Sequence, residues 1–232
     1  MSAEATLVAV AAAIYLLDCV VLLERGQALW SRAGLSFGSL HYQVRGKAVA
    51  MLNPLTPFIP VFRTLPLFAA TSNVKASDGA RAFGPLAALG GLQLLLVLVA
   101  LPYCLFRAPG WPFFAALILA YVNAIALLGL TWWRLRGASI ATRPLIGLGF
   151  GWLACLPLSV NAVRKAGLAF DVAMDAREAI LQLAVHDQDS ARNGLAAQVA
   201  EAMQELEESD ERHRRLADLK NQLAPEAGHG RL

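Results

Sequence analysis

The residues in this chain whose types and spacing could do chemistry are few, and most stand apart. His41, Gln43, Arg45 and Lys47 recur at every second position, so an extended run would carry imidazole, guanidinium and ammonium on one face. That set could meet a lipid phosphate. It equally describes an amphipathic interfacial segment with snorkelling cations, and this simpler reading is preferred. His41, Arg45 and Lys47 are therefore expected to contact lipid headgroups. Asp18 lies inside an apolar stretch, where an acid costs about 2.5 to 3.5 kcal/mol on insertion scales, so it must face protein or water, or be protonated. No partner can be assigned to it, because Arg25 lies two turns along and at or beyond reach. Gln93 and Asn123 are the other polar groups at depth. Three such groups do not make a chain for protons or ions, so structural hydrogen bonding is the expectation.

Elsewhere the patterns that chemistry needs are missing. His41, His186, His213 and His229 never occur four residues apart, and no Cys-x-x-Cys pair exists, so no metal site is expected. Cys19, Cys104 and Cys155 sit in apolar runs, like small core residues. There is no Gly-x-Ser-x-Gly elbow, and the glycines at 147, 149 and 151 lack the lysine of a phosphate loop. No catalytic residue and no cofactor is assigned, and an enzyme is the less favoured reading.

The elements that would position these residues follow from composition. Of 232 residues 57% are hydrophobic and 16% charged, with a mean hydropathy of +0.51. Soluble domains carry roughly a quarter charged residues. The chain therefore reads as a membrane protein, and a disordered chain, a disulfide scaffold and a large soluble catalytic domain are excluded. A bilayer core about 30 Å thick needs about 20 apolar helical residues. Four segments reach that length: 5–23, 86–106, 111–133 and 144–163. The first is too long for the apolar part of a cleaved signal and has no preceding cation, so it is expected to remain as a helix. Trp111, Trp132 and Trp133 bracket the third at the interfaces. Pro54, Pro57 and Pro60 break the apolar stretch 48–62, which becomes an interfacial or re-entrant segment, with a fifth crossing as the alternative. The expected fold class is thus an all-α membrane protein with about four transmembrane helices over residues 1–165. A soluble helical hairpin completes it at 166–232.

Small residues suggest how the bundle packs. Gly147, Gly151, Cys155 and Ser159 recur every four residues, as do Ala116, Ala120 and Ala124, so the third and fourth helices are expected to pair along these ridges. Cations suggest how it is oriented. Seven Lys and Arg lie in the first loop, one at Arg107 and three between the third and fourth helices, which places the first and third loops in the cytoplasm and the N-terminus outside. Arg164 and Lys165 then disturb the pattern, because four crossings leave the tail outside. A re-entrant fourth segment or a fifth crossing would restore a cytoplasmic tail, which is preferred.

The two parts differ in sign. Residues 1–165 hold thirteen Lys and Arg against four acids, and residues 166–232 hold seven against thirteen. Membrane lipids are the expected partner of the first part, and the acidic second part argues against nucleic acid. In the tail, helices are expected at 171–186 and 195–223. Val172, Ala176, Ile180 and Leu183 form the stripe of the first, and Val199, Met203, Leu206, Leu216, Leu219 and Leu223 that of the second. The gap around Ser209 to His213 argues against a sustained coiled coil. The leading functional expectation is a non-enzymatic scaffold or subunit of a bacterial inner membrane, whose tail docks a partner protein or sister subunit. Two alternatives stand beside it: a transporter or channel component with a cavity lined by Asn53 to Pro60, and a lipid-modifying enzyme using His41 and Arg45.

Overall fold

A computed structural model describes residues 2–24, 27–31, 34–36, 39–64, 81, 83–137, 143–172 and 211–223, with isolated positions at 193, 196–197, 199–200 and 203–204. The chain opens with α1, Ala3–Asp18. Ser2 caps it by accepting from the Ala5 amide at 3.3 Å, and Glu4 sits in the first turn, where an acid complements the helix dipole. The helix stops at Asp18, because Val20, Val21, Leu22 and Leu23 continue as a strand, β1 (Val20–Leu23), with Val21 and Leu23 buried and Val20 and Leu22 exposed.

Five further strands follow: β2 (Ala28–Ser31), β3 (Gly34–Ser36), β4 (Ser39–Val44), β5 (Lys47–Met51) and β6 (Phe62–Thr64). The first sheet is antiparallel in the order β1-β5-β4, with Val20 opposite Met51 and Val44 opposite Lys47. Arg45 and Gly46 connect β4 to β5, and both have positive φ, 53° and 76°. Such a two-residue turn matches the twist of the strands, and its second position suits glycine. The second sheet has the order β3-β2-β6-β7, where β7 (Asp171–Val172) returns after all the long helices and pairs with β6 in parallel. Val21, Leu23 and Ala50 of the first sheet pack on Leu29, Val61 and Leu168.

Two helices, α2 (Gly84–Arg107) and α3 (Trp111–Gly137), are long and apolar enough to cross a membrane. In each, only 22% of the apolar stretch is buried by the rest of the protein, unlike the core helix of a soluble domain. Leu95, Val99, Ile118 and Val122 are exposed on their flanks. Within α2 the turn Leu96–Ala100 widens to π geometry immediately before Pro102, which has no amide to donate and would clash with a regular preceding turn. Gly110, at φ 104°, closes the short link between the two helices.

The remaining helices are short: α4 (Arg143–Ala154), α5 (Leu156–Ser159), α6 (Ala162–Leu168) and α7 (Glu211–Leu223). The largest core gathers Trp30 and Phe62 from the second sheet with Phe83 and Leu86 at the start of α2 and Leu127 and Leu135 toward the end of α3. Val172, Val199, Leu216 and Leu219 are buried in that same core. It therefore lies at one end of the α2–α3 hairpin.

These elements correct the expected fold class. The protein is not an all-α bundle with about four crossings: among the described residues it has two β-sheets and two helices of crossing length. The first expected span, 5–23, divides into a helix of 16 residues and a strand. At 1.5 Å per residue that helix is about 24 Å long, short of a bilayer core. The fourth, 144–163, breaks at Cys155, whose extended backbone precedes Pro157, leaving α4 with 12 residues. The stretch 48–62 is strand β5, two successive turns and the start of β6. In the tail, Asp171 and Val172 are a strand rather than the start of a helix, and 173–186 lies outside the described residues.

Candidate functional site

Where α1 gives way to β1, three distant segments meet around one guanidinium. Arg164 on α6 is only 2% exposed. It reaches its position because α6 is lined with small residues, and Gly167 lets the helix press against the backbone of Val61. Its Nη2 donates to the Asn53 carbonyl and to Thr56 Oγ1 at 3.1 Å. Its Nη1 donates to Asn161 Oδ1 at 3.4 Å and faces Cys19 Sγ at 3.9 Å, while Nε has no hydrogen-bond partner among the described residues. Burial pulls this guanidinium below its ordinary pKa, opposed by Cys19 and Tyr15. An arginine still remains charged at neutral pH.

The proline-broken segment is shaped to receive it. Asn53 Oδ1 accepts from the Leu55 amide at 2.9 Å, an Asx turn, and the Thr56 and Ile59 amides close two turns on Asn53 and Thr56 carbonyls. The Tyr15 hydroxyl donates to the Pro54 carbonyl, which ties α1 to the same turns. Beside this lies the partner that sequence could not supply for Asp18. Lys165 Nζ stands 2.9 Å from Asp18 Oδ1, and Asn161 Nδ2 donates to Oδ2 at 3.1 Å. Both ends of this ion pair are mostly covered, at 13% exposure for Asp18 and 28% for Lys165.

A second buried network joins the two remaining polar groups. Asn123 Nδ2 donates to Gln93 Oε1 at 2.7 Å and to the Leu89 carbonyl at 3.0 Å. Gln93 Nε2 in turn donates to Ser159 Oγ at 2.7 Å, and that hydroxyl donates to the Leu156 carbonyl. Gln93, Asn123 and Ser159 thus pin α2, α3 and α5 to one another.

The other expected sites are placed as follows. Ala120 and Ala124 are buried and Ala116 is partly so. Gly147 is exposed, and a side chain there would meet nothing within 4 Å; the close approach of α4 to α3 is at Gly149, against Leu128. Gly151 faces Leu158, Cys155 stands at the helix break, and only Ser159 of that ridge joins a polar contact. The sequence run His41 to Lys47 does not stay extended: His41 is in β4, Arg45 is in the turn, and Lys47 opens β5 and reaches Glu24 Oε1 at 2.9 Å. Of the two tail stripes, Val172, Val199, Leu216 and Leu219 are buried and Met203 packs against them. Leu223 ends α7, and Ala176, Ile180, Leu183 and Leu206 lie outside the described residues.

Sequence reasoning missed Tyr15, Asn53, Thr56, Asn161 and Arg164 as one cluster. The available signal was Arg164 and Lys165 following one apolar run while another, 5–23, held the unmatched acid Asp18. Around Cys19 the cluster sets Asn161, Arg164 and Tyr15. No group of three metal-ligating side chains occurs among the described residues. Comparison with protein-family models, with curated proteins and with solved structures finds no match.

Proposed function

We propose that this chain is a non-enzymatic membrane scaffold or subunit. The α2–α3 hairpin crosses the bilayer, and the sheets and tail form a platform at its Gly84 and Gly137 end. The observation that carries the reading is how the interior polar groups are held. Asp18, Gln93, Asn123, Ser159, Asn161 and Lys165 are bonded across elements, which suits a fixed body better than a moving one. Two crossings also reconcile the charges. Arg63, Arg81, Arg134, Arg136, Arg143, Arg164 and Lys165 then share the cytoplasmic side, opposite Arg107. With the described stripe residues turned inward, the tail offers a partner its polar face, including Arg214, Asp218 and Lys220. Affinity capture from detergent extract, comparing the natural chain with an Asp218→Arg, Lys220→Glu variant, tests this. A protein lost from the variant supports the role, and identical sets of bound proteins remove it.

One observation favours a second reading, a transport component. Polar groups from α1, α2, α3, α5 and α6 come together beside a π-turn and a proline-broken segment, features that recur where helices line ion paths. Ion or solute flux in proteoliposomes that disappears in Asp18→Asn and Gln93→Leu would support it, and flux unchanged by both would exclude it.

A further inference from the structure

The outward face of the first sheet is apolar where an antiparallel sheet facing water is polar. Strand pairing puts Val20 and Leu22 of β1, Val49 and Met51 of β5 and Val44 of β4 on one side, with Tyr42 two residues before Val44. On the other side Val21, Leu23 and Ala50 fill the core. One-sided burial should leave alternating polar residues outside, yet on β1 and β5 Lys47 is the one polar residue at these outward positions, with Ser39 of β4 opposite Val49. Met51 is 66% exposed and Tyr42 73%. Further exposed apolar residues flank these strands in sequence: Leu16 and Leu17 of α1 before β1, and Leu55 after β5.

We infer that this sheet face lies on the bilayer, in the interfacial layer of the leaflet into which the platform end of the α2–α3 hairpin emerges, with anionic headgroups around its turn. The inference rests on the hairpin crossing that bilayer. Three features select lipid over another protein. Lys47 is paired with Glu24, but Arg45 stands exposed at the β4–β5 turn in a stretch, 39–64, that holds no acid, which complements anionic headgroups. Tyr42 is an amphipathic ring of the kind that prefers the headgroup level. The sheet is joined to the hairpin through α1, whose end places Tyr15 and Cys19 in one core with Leu96 and Val97 of α2. Depth follows from the edges of the sheet. β1 and β4 are both edge strands, and unpaired strand edges do not survive in hydrocarbon, so the sheet rests in the headgroup region while its side chains dip toward the acyl chains.

The test uses the full chain in vesicles of mixed zwitterionic and anionic lipid, with photoreactive benzoylphenylalanine placed singly at Tyr42, Met51 or Leu95, and at Gln43, which belongs to the opposite face. Lipid adducts at 42, 51 and 95, several-fold above those at 43, are expected. Arg45→Gln should lower the anionic share of adducts at 42 by about five-fold, the effect of one cation near an anionic surface. Adducts at 95 without adducts at 42 and 51 overturn the inference and leave the hairpin reading intact. Crosslinked pairs of chains at 42 and 51 overturn it in favour of a second copy. Absence of lipid adducts at 95 as well would instead overturn the membrane crossing itself.

Discussion

Arg164 donates to a carbonyl and a hydroxyl of the segment 53–56 and to the amide oxygen of Asn161, one turn before it in its own segment, and it faces the Cys19 sulfur. An ammonium cannot reproduce the planar fork that reaches them together. Arg164→Lys should therefore destabilise the protein by about 2 kcal/mol, within the range for hydrogen bonds to charged groups, read as a lower denaturant midpoint in detergent micelles. Glycines provide a sharper contrast. A Cβ on Gly167 would run into the Val61 carbonyl, a backbone atom that cannot rotate away, whereas Gly147 faces open space. Gly167→Ala should prevent folding or cost several kcal/mol, and Gly147→Ala should stabilise by up to about 1 kcal/mol through helix propensity. Gln93→Leu should cost about 1 kcal/mol, because Asn123 and Ser159 lose a partner together. At this scale the sequence was half legible. Asp18, Gln93 and Asn123 stood out because polar groups in apolar runs are costly, but Lys165 and Asn161 meet Asp18 from nearly the other end of the membrane portion. No local spacing encodes that meeting.

The two long helices were read within a few residues of their ends, since twenty apolar positions leave a strong signal. The strands were not, and the reason is physical. β2 is buried on three of its four residues, and β1 and β5 are apolar on both faces, so the alternation that announces a half-wet strand is absent. The clue was Arg45-Gly46, whose left-handed turn doubles the chain back. Replacing Arg45 by Asn, which tolerates that backbone better, should raise stability by about 0.5 to 1 kcal/mol in thermal unfolding. The adjacent Glu24 and Lys47 pair ties β5 to the end of β1. Lys47 holds the Glu24 carboxyl below its ordinary value of 4.5. Because the folded value is the lower one, the pair's contribution is full above the unfolded value and fades as pH falls through the folded one. Melting of Glu24→Gln against the natural chain should differ at pH 6, with the natural chain the more stable. The difference should shrink as pH is lowered below 4.5.

For the molecule as a whole, the proposed two crossings, in place of four, change which parts share a compartment. A protease site inserted at the β4–β5 turn and another after residue 223 should be cleaved together in inverted vesicles and together spared in intact cells. Cleavage of the two from opposite sides would require an odd number of crossings between them. The parallel pairing of Arg63 with Asp171 and of Thr64 with Val172 adds a constraint in time. The two partners are separated by roughly a hundred residues and by both long helices, a non-local contact of the kind that forms late. During synthesis the second sheet must wait, β6 unpaired on one side, until both apolar helices have left the ribosome. Nascent chains halted at residue 165 should therefore be cut by protease within 28–64, and chains released at full length should resist; on the proposed crossing, insertion of the hairpin acts as the timer for closing the sheet.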